Sequence, residues 1–136
     1  MLPKKIKSVD FNGVEREETY YFNITEAELA DMALSKEGGL EVYINRIIEA
    51  KSVPELKELF KFFIDKSYGV KSDDGKYHRK SPEILADFKA TQAYSELYME
   101  LLSDTNKAIE FINGIIPTKL KTEEFKNQLA NVPAIK

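Results

Sequence analysis

The sequence contains no cysteine, no tryptophan and a single histidine, His78. Without cysteine the chain forms neither disulfides nor thiolate metal sites, and its fold has to be stabilised by a hydrophobic core, as in proteins of a reducing cytoplasm. One histidine without cysteine also cannot supply the usual ligand set of a transition metal. We therefore expect no metal and no cofactor, and we predict that His78 is an exposed loop residue.

Long hydrophobic runs are missing as well. No stretch approaches the roughly 20 apolar residues of a membrane-spanning helix. The start, Met1–Lys7, carries charge without an apolar run behind it, so neither a membrane segment nor a signal peptide is expected. The net charge is −3, with acidic and basic residues mixed along the chain. Because phosphate binding needs clustered lysine and arginine, nucleic acid is not an expected partner.

Catalytic motifs are absent from the sequence. There is no G-x-S-x-G nucleophile elbow and no glycine pattern that cradles phosphate. Asp73-Asp74-Gly75 lacks the ligand spacing of a calcium loop, and a tight turn explains it better. We therefore predict no catalytic residues, and we expect a binding protein or a structural subunit rather than an enzyme.

Aromatic residues are abundant, with seven tyrosines and eight phenylalanines. Core packing explains most of them, and protein interfaces explain others, since tyrosine offers a large contact area at a small loss of entropy. Tyr21 and Phe62 lie off the main apolar stripes of their elements, and Tyr94 and Tyr98 flank a glutamate-rich segment. These four residues are the predicted protein-interface residues.

The N-terminal part of the chain predicts a β-hairpin. Apolar residues alternate with polar ones in two segments, at Val9 and Phe11 and then at Tyr20, Phe22 and Ile24. Asn12-Gly13 between them favours a two-residue type I′ turn, because both residues tolerate positive φ angles. A hairpin alone is marginal in water, so we expect one of its faces to pack on helices.

Helical patterns follow the hairpin. Thr25 and Glu28 have the spacing of a capping box, which starts a first helix. A second helix has the clearest apolar stripe, formed by Leu40, Tyr43, Ile44, Ile47 and Ile48. Later helices are predicted from Pro54, from Ser81-Pro82, along the stripe Tyr94 to Leu102, and after Asp104. The pattern leaves open whether the helices on either side of Ala90-Thr91-Gln92 are continuous.

These elements predict an α+β domain that is predominantly helical, with the N-terminal hairpin packed on a bundle of five or six helices. We expect residues 1–117 to form this single compact domain, with the hairpin at 5–24 and the helices at 25–116. Residues 118–136 are predicted to be a C-terminal tail with one short helix. Asp74-Gly75 favours a second, small hairpin within a polar segment.

Several sequence blocks carry a resemblance to a known family. The blocks are Asp10–Arg16, Tyr21–Leu29, Gly38–Leu40 with Arg46–Ile48, Lys66–Gly75, Ala93–Leu102 and Phe111–Pro117. In this order they resemble the tail assembly chaperones, small proteins encoded in the tail modules of long-tailed bacteriophages. The resemblance covers about residues 5–117 and consists of structural rather than catalytic blocks.

The resemblance implies a non-enzymatic chaperone that binds the tape measure protein and recruits tail tube subunits in the cytoplasm of the infected host cell. The alternative is a structural virion component, such as a tail tube, connector or head-associated subunit. A tube protein would usually be β-rich, and a chain that is helical beyond its first hairpin therefore favours the chaperone. Self-association into a homo-oligomer is compatible with both hypotheses.

Overall fold

The computed structural model describes residues 1–35 and 53–116. In chain order these form β1 (Leu2–Val9), β2 (Glu15–Phe22), α1 (Glu26–Ser35), α2 (Val53–Ser67), β3 (Tyr68–Lys71), β4 (His78–Arg79), α3 (Pro82–Lys89), α4 (Gln92–Ser103) and α5 (Thr105–Ile115). None of the helices within these ranges is long and apolar enough to cross a bilayer. The predicted helix at Leu40–Ile48 and the predicted tail at 118–136 lie outside the described residues.

The four strands form one antiparallel sheet in the order β1-β2-β3-β4. The first hairpin pairs β1 with β2 from Leu2 opposite Phe22 to Val9 opposite Glu15. The second hairpin, β3–β4, joins the first because Phe22 also pairs with Tyr68. The predicted fold class, an N-terminal hairpin packed on a bundle of five or six helices, is therefore wrong.

The β2–β3 pairing explains why local patterns missed this sheet. β3 has only four residues and β4 only two, so neither strand shows a clear alternation of apolar and polar residues. Their partner β2 lies far away along the sequence, and such pairing is set by tertiary packing. The second hairpin predicted at Asp74-Gly75 is nevertheless present, and Ser72 N–H donates to the Tyr77 carbonyl across its loop at 2.8 Å.

The loop of the first hairpin differs from the predicted two-residue turn. Asp10 N–H donates to the Val14 carbonyl at 2.8 Å, and Gly13 N–H donates to the Asp10 carbonyl at 3.0 Å. Gly13 has φ 81°, in the left-handed region that favours glycine. This is a three-residue loop whose last residue is left-handed. The extra loop residue places Phe11 at the tip.

The helix starts agree with the predicted caps. Thr25 N–H donates to Glu28 Oε1 at 3.0 Å, and Glu28 N–H donates to Thr25 Oγ1 at 3.1 Å, which confirms the capping box. Ser81 Oγ accepts from the backbone of α3 at 3.1 Å, and Asp104 caps α5. Thr91 caps the N-terminus of α4, so α3 and α4 are two separate helices. The sequence left open whether they were continuous.

The core lies between one face of the sheet and the helices. Phe22 is fully buried at its centre, with ring centroids 5.2 Å from Phe111, 5.9 Å from Phe88 and 5.6 Å from Tyr68. Tyr68 stacks on Phe88 at 4.1 Å, which fixes β3 against α3. Helix α2 contributes the buried side chains Leu59, Phe60, Phe63 and Ile64. This packing holds the sheet face and helices α3 to α5 in fixed relative positions.

Candidate protein-interaction surfaces

Two of the predicted interface residues, Tyr94 and Tyr98, lie together on α4. They are one helical turn apart, and their rings are nearly parallel, with an interplanar angle of 8° and centroids 6.1 Å apart. Lys61 of α2 lies with its Nζ 5.9 Å from the Tyr98 ring centroid, and Lys89 of α3 lies 5.9 Å from the Tyr94 ring centroid. Both tyrosines are partly buried against the core, and the Tyr94 hydroxyl is itself buried. We call Tyr94, Tyr98, Lys61 and Lys89 the tyrosine surface.

The tyrosine surface has two uncharged phenols at its centre, with Lys61 at one edge and the Lys89–Asp65 ion pair at the other. Burial raises the pKa of Tyr98, and burial together with the nearby Asp65 carboxylate raises the pKa of Tyr94, so both hydroxyls stay protonated at neutral pH. Lys89 pairs with Asp65 at 3.4 Å. The surface offers aromatic area and ammonium groups, which suit the binding of a protein side chain rather than a chemical step.

Tyr21 lies elsewhere. Adjacent strand residues point to opposite faces, and because Phe22 faces the helices, Tyr21 lies on the other face of the sheet. Lys71 Nζ lies 5.2 Å from its ring centroid. The structure therefore does not bring Tyr21 together with Tyr94 and Tyr98.

The Phe62 side chain lies partly in the core and partly at the surface. It is half-buried, packs against the core cluster and meets Phe63 edge-on, with ring centroids 5.5 Å apart. Lys66 Nζ lies 6.0 Å from the centroid of the Phe62 ring. Its exposed part lies on α2, the helix that also carries Lys61 of the tyrosine surface.

His78 is not the exposed loop residue that the sequence predicted. It is half-buried in β4, and its Nε2 lies 3.0 Å from the Tyr21 carbonyl oxygen, to which it donates as the neutral tautomer. Burial lowers the pKa of His78, and the neighbouring Lys80 ammonium lowers it further. The ring fits against Gly69, where a Cβ atom would lie 2.8 Å from Nε2. His78 therefore links the second hairpin to β2.

The sequence missed an exposed apolar group at the end of the first hairpin. Val9, Phe11 and Val14 are exposed to 50%, 75% and 56%, and we call them the hairpin tip. Alternation had suggested that Val9 and Phe11 lie in a half-buried strand. The signal that could have revealed the tip was the loop sequence Asp10–Gly13, because a longer turn takes Phe11 out of the strand.

The hairpin tip is held rigidly by Asp10. Its Oδ1 accepts the backbone N–H groups of Asn12 at 2.9 Å and Val14 at 3.0 Å, and its Oδ2 accepts from Arg16 Nε at 2.8 Å. The hydrogen bond from Val14 and that from Arg16 lower the pKa of Asp10, so the carboxylate is charged at neutral pH.

A cleft of about 300 Å³ lies beside the hairpin tip. The hairpin lines one side with Arg16, Glu18 and Tyr20, and the other side is lined by Ala90, which follows α3, and by Ala93 in the first turn of α4. Phe11 also borders this cleft. Tyr20 donates its hydroxyl hydrogen to Glu18 Oε2 at 2.9 Å, and burial together with that carboxylate raises the pKa of Tyr20 to about 12. The Tyr20 hydroxyl in the cleft wall is therefore uncharged at neutral pH.

A second groove, of about 520 Å³, lies between the hairpin end and α4. Its charged lining residues include both signs, namely Lys7, Arg16, Glu15, Glu17 and Glu96. Within residues 1–35 and 53–116, no three acidic, histidine or cysteine side chains are grouped as metal ligands.

Comparison with known proteins places the chain in one family. The sequence model of a family described as phage tail assembly chaperone matches residues 1–134. This range includes the hairpin tip, the cleft and the tyrosine surface. No curated protein and no solved structure gave a match.

Proposed function

The chain belongs to the phage tail assembly chaperone family, and on that basis we propose that it is a non-enzymatic chaperone that binds the tape measure protein and recruits tail tube subunits. The observation that carries this proposal is the family match over residues 1–134. The place of action is the cytoplasm of the infected host cell, where tails assemble. The chain acts by binding alone and uses no cofactor.

The tyrosine surface is the proposed binding site for the tape measure protein. Tyr94 and Tyr98 form a continuous aromatic area on one helix, where large rigid side chains contribute most to protein binding. Lys61 and Lys89 border this area and suit a client helix with acidic residues beside its apolar stripe. Phe62 is proposed as a further contact on α2, where its ring lies beside Phe63 and Lys66.

Tyr21 belongs to a separate contact because it lies on the other face of the sheet. A chaperone that brings two proteins together needs two surfaces, and the position of Tyr21 suits a tail tube subunit. Its ring lies beside Lys71, so this second contact also combines an aromatic ring with an ammonium group.

The alternative function is that of a structural virion component, such as a tail tube, connector or head-associated subunit. The sequence argued against a tube protein because the chain was predicted to be helical beyond its first hairpin. The four-stranded sheet weakens that argument and so favours the structural alternative more than the sequence did. The two functions differ in where the protein ends up. A chaperone leaves the finished particle, whereas a structural subunit stays in it in many copies.

The test is a pull-down of the tagged chain from infected cells, with mass spectrometry of purified virions in parallel. We expect recovery of the tape measure protein and absence of the chain from virions. Lys61→Glu should weaken the capture, whereas the matched control Lys76→Glu, which reverses a lysine beside Tyr77 on the second hairpin, should not. Stoichiometric presence of the chain in virions would overturn the proposal in favour of the structural alternative.

A further inference from the structure

We propose that the hairpin tip is a self-association surface, in which Phe11 of one copy enters the cleft beside the hairpin of a second copy, and reciprocally. The inference concerns contacts between copies of this chain and does not depend on the client. It begins with Phe11, whose side chain is 75% exposed although phenylalanine is usually buried. Val9 and Val14 stand beside it and enlarge the apolar area.

The cleft has the size and lining to receive a phenyl ring. Its volume is about 300 Å³, and a cavity of about 150 Å³ already accommodates benzene. Tyr20, Ala90 and Ala93 supply the apolar part of the lining. The remaining lining residues besides Phe11 are polar or charged, namely Ser8, Asp10, Arg16, Glu18, Thr91 and Gln92. An aromatic side chain that fills such a pocket is the usual anchor of a protein interface.

The positions of Phe11 and the cleft favour a two-fold arrangement. Both lie on the same end of the hairpin, and Phe11 borders the cleft of its own chain. One two-fold rotation therefore places each Phe11 at the cleft of the other copy, and the same patch is used on both sides. The contact closes after two copies and does not extend into a filament.

The charges of the cleft lining and the hydrogen bonds within the hairpin tip also support a second copy of the chain as the partner. A two-fold contact brings a patch against itself, so the patch has to be self-complementary in charge. The cleft meets this condition, because Arg16 lies beside Asp10 and Glu18 in its lining. The hydrogen bonds of Asp10 fix the tip before association, which reduces the entropy lost on binding.

The contact is smaller than the interface of a stable dimer, and we therefore expect weak, concentration-dependent association. Sedimentation velocity of the full chain from micromolar to millimolar concentration measures it directly. Phe11→Ser removes the ring, and Ala90→Glu replaces a small side chain of the cleft lining with a longer, charged one that takes up space needed by the incoming ring. Each variant should weaken the dimer by about tenfold or more.

The matched control is Tyr77→Ser, which removes an exposed ring from the other hairpin and should leave the dimer unchanged. Circular dichroism and thermal melting verify that each variant is folded. Phe11→Ser and Ala90→Glu should also complement each other. In a mixed dimer the intact Phe11 of one copy meets the intact cleft of the other, so the mixture should associate more strongly than either variant alone.

Three results would overturn the inference. They are a wild-type chain that stays monomeric over the whole range, equal weakening by Tyr77→Ser, and a mixture no stronger than the separate variants. If the wild type is monomeric and Phe11→Ser lowers capture of the tape measure protein, the hairpin tip contacts the client instead. A wild-type chain that self-associates but does not capture the tape measure protein would contradict the proposed function and leave this inference standing.

Discussion

Lys80 and Glu28 form an ion pair with a distance of 2.7 Å between Nζ and Oε2. The pair joins the segment after β4 to the first turn of α1. The same ammonium group also donates to the backbone carbonyls of Asn23 at 2.6 Å and Lys66 at 2.8 Å. Burial opposes ionisation of Glu28, but its hydrogen bonds with Lys80 and Thr25 outweigh burial and lower its pKa.

The first prediction concerns this ammonium group. Lys80→Met keeps the aliphatic stem and removes the donors to Glu28, Asn23 and Lys66, so we expect the free energy of unfolding to fall by about 1–3 kcal/mol. Urea denaturation measures this change. Lys76→Met is the control, because Lys76 is exposed and its ammonium lies only against the Tyr77 ring. Equal effects of the two substitutions would show that the Lys80 contacts contribute nothing specific.

The second prediction concerns the close approach at Gly69. An added Cβ would lie 2.8 Å from the Arg79 carbonyl oxygen and 2.8 Å from His78 Nε2. Since the carbonyl belongs to the paired strand β4 and cannot move alone, Gly69→Ala should lower the free energy of unfolding by about 1–3 kcal/mol. Thermal and urea denaturation check this value.

Gly114→Ala is the control for that experiment. Its added Cβ would also meet an atom at 2.9 Å, but that atom is Leu2 Cδ1, at the flexible end of a side chain. Gly114 lies in the last turn of α5 and has no positive φ, so alanine can adopt its backbone conformation. Gly114→Ala should therefore cost less than Gly69→Ala, and the reverse order would contradict the role assigned to the β3–β4 backbone.

The third prediction concerns pH. Burial lowers the pKa of His78 below its ordinary value of 6.5, so the unfolded chain binds this proton more readily than the folded chain. The contribution of neutral His78 to stability is therefore complete above about pH 6.5 and is lost as the pH falls through the lower pKa of the folded state. NMR titration of the ring and urea unfolding at several pH values measure both quantities.

His78→Gln provides the comparison, because glutamine can donate a hydrogen bond to the Tyr21 carbonyl but does not titrate. The difference in the free energy of unfolding between the wild type and this variant should shrink as the pH falls below 6.5. A folded-state midpoint at or above 6.5 would contradict the structural account of the half-buried ring.

The fourth prediction concerns the rigidity of the hairpin tip. Asp10→Ala removes the acceptor for the Val14 N–H, and we expect that amide to exchange with solvent faster, as seen by NMR hydrogen exchange. The self-association of the chain should weaken as well, although Phe11 remains present. Asp73→Ala, in the loop of the second hairpin, is the control. Unchanged exchange at Val14 would show that Asp10 does not hold the tip.

The sequence predicted local features more successfully than distant ones. The capping box at Thr25 and Glu28 needs only residues one turn apart, and the structure confirms it. The pairing of Phe22 with Tyr68 depends on packing between distant segments, and neither segment shows it alone. The surroundings of His78 and the bonds of Lys80 follow from that pairing and were missed for the same reason.

The candidate surfaces divide in the same way. Tyr94 and Tyr98 could be placed together because helical spacing fixes their separation. The position of Phe11 beside the cleft could not be predicted in this way. One additional loop residue decides whether the Phe11 ring lies in the strand or at the hairpin tip. Loop length of this kind is set by small free-energy differences between turn types, which composition alone does not reveal.

The pairing of β2 with β3, which we call the seam, also affects the order in which the sheet can form during synthesis. The first hairpin closes a short loop and can form as soon as its two strands have left the ribosome, whereas the seam needs Tyr68 and Gly69, which are synthesised much later. Until then the end of β2 has unpaired backbone groups along one edge, the feature that promotes unwanted strand pairing between chains. During its own synthesis the chain therefore passes through a stage in which the end of β2 is open to pairing with other strands.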